Sequence, residues 1–134
     1  IGVGKQLIKS LYAQFTGAAN TPILTTLSPL RTLKDYVGEQ GFAGYSQEAK
    51  LAKVIAYLKE RKDAVQRFHL GNGAQIGAIH LNAAAPASKD GELGLGVMVS
   101  YRYPRREERI EENLGIYNEA ERIPTSYHLA HAFK

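Results

Sequence analysis

Hydrophobic positions along this chain keep two rhythms, one of helices and one of strands. Leu7, Ile8, Leu11, Tyr12 and Phe15 recur three and four apart, which gathers them on one helical face. Gly17 follows as a C-cap, so a helix is predicted over about 4–16. Residues 22–27 are short, apolar and β-branched and predict a buried strand that stops at Ser28-Pro29. Proline is welcome in a first helical turn, so a second helix is predicted from Pro29. Gly38, Gly41 and Gly44 mark a loop. After it Leu51, Val54, Ile55 and Leu58 form one apolar stripe, with Ser46 placed to cap that helix. Asn72-Gly73 is a strong turn signal. Segments 74–81 and 95–103 then read as strands, joined by a small-residue loop over 82–94 that is expected to be mobile. Ile110, Leu114 and Tyr117, spaced i, i+4, i+7, predict a C-terminal helix that Pro124 interrupts, with a short helix after it.

The order helix, strand, helices, strand, strand, helix makes a mixed α/β class the expectation. No repeat, low-complexity segment or interdomain linker divides the chain, and 134 residues suit one domain or part of one. The chain opens on Ile1-Gly2-Val3-Gly4, as if an element were already under way. A missing N-terminal portion, and with it a share of a larger sheet, is therefore expected.

Composition narrows the chemistry. With 44% hydrophobic and 22% charged residues the chain is an ordinary globular sequence. It holds no cysteine, which excludes a disulfide framework, a thiolate nucleophile and a Cys-ligated zinc. No run approaches the roughly 18 apolar residues of a membrane span, and no signal peptide is visible; no membrane partner and a cytoplasmic location are expected. The formal charge of +4 raises the question of nucleic acid. The basic residues are scattered, however, and the densest cluster, Arg105-Arg106, runs straight into Glu107-Glu108, which describes a solvated helix start. No nucleic-acid partner is expected, while a modest positive balance suits an anionic ligand with several phosphates.

The candidate chemistry centres on Phe68-His69-Leu70-Gly71-Asn72-Gly73-Ala74. Imidazole is the side chain whose unperturbed pKa lies near neutrality, and here it precedes an Asn-Gly turn, at the predicted mouth of a strand. Gly71 and Gly73 would let the backbone approach a ligand closely, and Asn72 and Gly73 are the candidate substrate-binding pair. Ser28 stands at the end of a predicted strand, an edge where α/β proteins gather ligands; an N-cap for the Pro29 helix is the competing reading. Gly2, Gly4 and Lys5 precede the first helix, whose free N–H groups could cradle phosphate, though the segment is neither a Walker motif nor a dinucleotide fingerprint. Tyr101 and Tyr103 share a strand face; packing is their ordinary role, and the Tyr103 phenol, near the strand end, can reach into a site. His128 and His131 have no third ligand nearby, and no metal is expected.

Four segments, in order, resemble the C-terminal catalytic region of malonyl-CoA decarboxylases. They are Gly4-Lys5-Gln6-Leu7-Ile8-Lys9, Leu27-Ser28-Pro29, Phe68 to Ala74, and Gly96-Val97-Met98-Val99-Ser100-Tyr101-Arg102-Tyr103 followed by Ile110-Glu111-Glu112-Asn113 and Tyr117. The third is the most specific. The chain departs from the family pattern after Pro29, where Leu30-Arg31-Thr32-Leu33 stands in place of Pro-Gly-Phe.

The resemblance implies that residues 1–134 are the C-terminal portion of an acetyltransferase-like (GNAT) catalytic domain, a mixed sheet flanked by helices with its N-terminal part missing. It implies conversion of malonyl-CoA to acetyl-CoA and carbon dioxide with no cofactor, coenzyme A being part of the substrate. The family's catalytic serine and histidine fall on Ser28 and His69, its active-site tyrosine on Tyr103, and the coenzyme pyrophosphate on the helix start at Gly4 and Lys5. On this reading His69 transfers the proton, Ser28 lies within hydrogen-bond reach or one water of it and orients it or the substrate, and a missing N-terminal segment or a second copy of the chain completes the unit. The competing expectations are an acyl-CoA-dependent acyltransferase of the same fold and a non-catalytic acyl-CoA-binding module.

Overall fold

Among the described residues, three strands build one antiparallel sheet in the order β1-β3-β2, with β1 at Leu24–Pro29, β2 at Gln75–His80 and β3 at Met98–Tyr103. The computed structural model describes residues 24–134 apart from Pro86. The helix expected over 4–16, and with it Gly2, Gly4 and Lys5, lies outside the described residues. The class expected from the sequence, mixed α/β with few strands, is the class observed. The described sheet is antiparallel in both pairings, so the rule that draws ligands to the carboxyl edge of parallel strands has no purchase here.

The central strand shows why the sheet has two unlike faces. Val99, Tyr101 and Tyr103 are fully buried, and the alternate residue Arg102 is exposed, the period-two pattern of a strand with one covered side. The register sets Leu24, Thr26 and Ser28 of β1 opposite Tyr103, Tyr101 and Val99, and Ile76 of β2 opposite Tyr101. Directly opposed residues share a face, so all of these stand on the covered side. Gly77 marks a register shift in β2, which keeps Ile79 on that side, opposite Val99.

The helices α1 (Leu33–Val37), α2 (Gln47–Lys59), α3 (Ala64–Leu70) and α4 (Lys89–Leu93) accompany the sheet. The expected cap of α2 is present: the Ser46 hydroxyl accepts from the Ala49 N–H at 3.1 Å, a contact worth about 1 kcal/mol. Its apolar stripe buries Val54 and Leu58 completely and brings Tyr57 with them; each fully buried aliphatic side chain contributes about 1.5–3 kcal/mol. After β3 come α5 (Glu107–Leu114), a π-helical turn over Gly115–Glu119 and α6 (Tyr127–Ala130). Arg61 pins that turn, donating to the carbonyls of Tyr117 at 2.6 Å and Arg122 at 3.2 Å. Beyond it the chain returns to β2, where the Ile76 N–H donates to the Pro124 carbonyl at 2.9 Å.

Several expectations give way to tertiary pairing. No helix begins at Pro29; Ser28 and Pro29 remain extended because they pair with Val99 and Met98, and the next helix starts at Leu33 with Thr32 in its N-cap position. Ser28 is therefore a strand residue and not a cap. The strand expected from Leu95 begins at Met98, since Leu95 and Gly96 turn the chain with φ of 54° and 80°. The loop over 82–94 contains α4, capped by the Ser88 hydroxyl, which accepts from the Gly91 N–H at 3.0 Å. His69 does not stand at a strand mouth. It lies in the last turn of α3, a seven-residue helix too short for its apolar period to declare itself.

Candidate active site

The site is built around α3, which carries a buried acid at its start and an imidazole at its end. Asp63, only 4% exposed, caps the helix: one carboxylate oxygen accepts from the Gln66 N–H at 2.9 Å and the other from the Tyr57 hydroxyl at 2.7 Å. Tyr57 is also hydrogen-bonded to the Thr32 hydroxyl. The Gln66 amide donates to the Leu58 carbonyl at 2.7 Å. α3 is thus fastened to α2 at two points and cannot slide along it. Neither Asp63 nor Gln66 stands out in the hydrophobic pattern, yet an Asp followed three residues later by Gln is a helix-start signature that marks α3 in the sequence.

At the other end His69 is half-buried over the covered face of the sheet. Its ring stacks on Tyr101 with centroids 4.7 Å apart and planes 23° from parallel. Its Nδ1 is 2.6 Å from the Tyr103 hydroxyl, and the ring of Phe68, 54% exposed, meets it edge-on at 5.1 Å. The Tyr103 phenol, near the strand end, is the hydrogen-bond partner of the histidine. Tyr101 serves as the floor under the imidazole, a packing role with a direct effect on where the ring sits.

Burial pushes the His69 pKa below its usual value, because desolvation disfavours the imidazolium. The ring is neutral at pH 7. Of two neutral partners the phenol is the stronger acid, so the favoured arrangement has Tyr103 Oη–H donating to Nδ1 and the ring proton on Nε2. Burial, followed by the charge of Asp63, raises the Tyr101 phenol well above its ordinary range. Burial likewise raises that of Tyr57, and the neighbouring Asp63 adds to it. Both phenols are hydroxyls, not phenolates, across the physiological range.

The glycine-rich turn after His69 is used by the chain itself. Gly73 has φ of 97°, and a Cβ there would lie 2.3 Å from the Ile110 side chain. A Cβ at Gly71 would lie 2.7 Å from the Arg67 carbonyl. Asn72 is 4% exposed and its amide donates to the Phe68 carbonyl at 2.6 Å, while Asn113 donates to the Gly73 carbonyl at 3.0 Å. The turn packs α3 against β2 and α5 and so fixes the height of the imidazole. The Asn72 Oδ1 is buried without a partner among the described residues.

Ser28 and His69 stand on the same side of the sheet, Ser28 beside Val99 and His69 over Tyr101. No hydrogen bond joins them among the described residues. His128 and His131 stay in the C-terminal segment, and no group of three metal-ligating side chains occurs among the described residues. No described helix is long and apolar enough to cross a membrane.

Residues 43–134 match the family model of the malonyl-CoA decarboxylase C-terminal domain, a stretch that includes His69 and Tyr103 and leaves out Ser28. Among the solved structures similar to this chain are three malonyl-CoA decarboxylases. A malonyl-CoA decarboxylase from Cupriavidus metallidurans is 18% identical with a TM-score of 0.69, the match covering 96% of this chain and 42% of that one. That of Rhodopseudomonas palustris is 20% identical with a TM-score of 0.70, covering 96% and 36%. That of Agrobacterium vitis is 21% identical with a TM-score of 0.68, covering 98% and 40%. At such identities the likeness is one of fold, and the chain spans about two fifths of the length of these proteins. No curated protein matches. The family model covers more than half of the chain and takes in the His69–Tyr103 pair: the chain belongs to the malonyl-CoA decarboxylase family.

Proposed function

We propose that this chain takes part in the decarboxylation of malonyl-CoA to acetyl-CoA and carbon dioxide, on an acetyltransferase-like fold and without a cofactor beyond the coenzyme the substrate carries. The observation that carries the reading is the His69–Tyr103 hydrogen bond of 2.6 Å inside the stretch matched by the family. Loss of carbon dioxide leaves an enolate on the thioester, and its oxygen needs a donor aimed at the developing charge. A neutral imidazole with its proton on Nε2 is such a donor, and Tyr103 holds that tautomer from the other side of the ring. The enolate carbon then needs a proton from a positioned acid. It is a strong base, so His69 Nε2–H is acid enough to supply the proton, which solvent restores. Ser28, on the same face but not bonded to His69, orients the malonyl carboxylate. Asn72 and Gly73 contribute through the turn that sets the imidazole's position.

The test is incubation of the chain with malonyl-CoA, following acetyl-CoA by mass beside the His69→Ala variant. Production of acetyl-CoA that fails in the variant is the expected result. Binding of the thioester with no turnover would replace this reading with a non-catalytic acyl-CoA-binding module, and acetyl-CoA released only with an acceptor present would favour an acyltransferase.

A further inference from the structure

One phenol joins three helices. Thr32 occupies the N-cap position of α1, Tyr57 lies in the last turn of α2 and Asp63 is the N-cap of α3. The Thr32 and Tyr57 hydroxyls are hydrogen-bonded, and the Tyr57 hydroxyl donates to an Asp63 carboxylate oxygen at 2.7 Å. Burial keeps that phenol protonated. A hydroxyl has one proton to give, so Tyr57 gives it to Asp63 and accepts from Thr32. The hydrogen bonds therefore run in one direction, from the start of α1 to the start of α3.

The two ends of this chain of hydrogen bonds lie beside the two candidate site residues. Thr32 closely follows Ser28, in a connection where the Leu33 N–H donates to the Leu30 carbonyl at 3.0 Å and both leucines are fully buried. Asp63 opens the seven-residue helix whose last turn carries His69. A helix this short moves as one piece, and a shift at its N-cap reaches the imidazole, about 9 Å further along the axis. The ring's remaining contacts, the stack on Tyr101 and the bond to Tyr103, come from β3 and form only where α3 sets the imidazole. Tyr57 is buried and its ring meets that of Tyr36 at 5.3 Å, so packing holds the phenol where it makes both bonds.

We propose that Tyr57 is a positioning residue: its hydroxyl ties the segment after Ser28 to the helix that carries His69, and so fixes where the imidazole stands over the sheet relative to the serine. The effect on turnover rests on the decarboxylase reading above; the placement of His69 rests on the hydrogen bonds. Tyr57 touches no reacting atom in this role and acts only through Asp63 and α3. A displacement of about 1 Å in a reacting group can cost about 10²-fold in rate.

The experiment measures malonyl-CoA turnover and, without substrate, the nitrogen chemical shifts of the His69 ring in Tyr57→Phe, which keeps the packed ring and removes the hydroxyl. The expected result is a kcat lowered about tenfold with KM within about twofold of wild type, because the lost contact orients His69 and binds no substrate. The His69 shifts should move with it. Asp63→Asn keeps a cap acceptor and can donate to Tyr57, which reverses the direction of the hydrogen bonds; it should retain more turnover than Asp63→Ala. Ser46→Ala is the control: it removes the cap of α2 and lowers stability, but should leave kcat and the His69 shifts as in wild type. Wild-type kcat and shifts in folded Tyr57→Phe overturn the role, as does a Ser46→Ala variant that reproduces the changes. If Tyr57→Phe does not fold, Thr32→Val, at an exposed position, decides in the same way with a smaller loss expected. If wild type turns over no malonyl-CoA, the decarboxylase reading fails and the ring shifts alone decide: moved shifts in Tyr57→Phe support the positioning role and unmoved shifts overturn it.

Discussion

Replacing Tyr103 by Phe isolates the hydroxyl that holds His69. The ring is fully buried, so Phe keeps its packing and removes one oxygen. The bond to His69 Nδ1 at 2.6 Å goes with it. A typical intramolecular hydrogen bond contributes about 1 kcal/mol net, and a buried acceptor left unpaired costs about 1–3 kcal/mol. His69 is half-buried, so water can recover part of that cost, and a loss of about 1–2 kcal/mol is expected. Urea unfolding at pH 7.5 measures it as a lower midpoint with an unchanged slope. Nitrogen chemical shifts of the His69 ring give the second readout: the Nε2–H tautomer held in wild type should become a mixture in the variant. Unchanged stability together with an unchanged tautomer would mean that the phenol neither anchors nor orients the imidazole, and the proton-transfer assignment would lose its geometric basis.

Other consequences follow from the same contacts. His69→Ala should lower turnover of malonyl-CoA by roughly 10² or more, measured by acetyl-CoA release in a variant whose circular dichroism is unchanged. Because burial lowers the folded-state pKa of His69 below the unfolded value of about 6.5, the unfolded chain binds more protons between the two. His69 therefore favours folding fully above about pH 6.5, and that contribution disappears as pH falls through the folded pKa. Unfolding titrations from pH 8 to 5 should show a limb that His69→Gln reduces; identical profiles would contradict it. Gly73→Ala places a Cβ 2.3 Å from Ile110 at φ of 97°, and thermal unfolding should report a loss of about 1–3 kcal/mol from overpacking and strain. Asp63→Ala removes the cap of α3 and the acceptor of Tyr57, a loss of about 2–4 kcal/mol by denaturant unfolding, with stability equal to wild type as the refuting outcome.

Local chemistry alone determined a good part of this protein. The stripe of Val54 and Leu58, the Ser46 cap and the alternation of β3 follow from periodicity and hydrogen-bonding capacity, which depend only on near neighbours in the chain. The shared face of Tyr101 and Tyr103 was legible for the same reason, whereas the helix that carries His69 was not, being too short for its period to show. Ser28 was not: its side chain can cap a helix or extend a strand with nearly equal ease, and pairing with Val99, 71 positions later by number, decided for the strand. The glycines after His69 looked like room for a ligand, and only the packing of Ile110 against Gly73 revealed that the chain fills that room itself. His69 acquired its hydrogen-bond partner from Tyr103, its stacking floor from Tyr101 and its lowered pKa from burial. Its residue type was written locally, but its setting depends on neighbours more than 30 residues away, and only the folded chain brings those together.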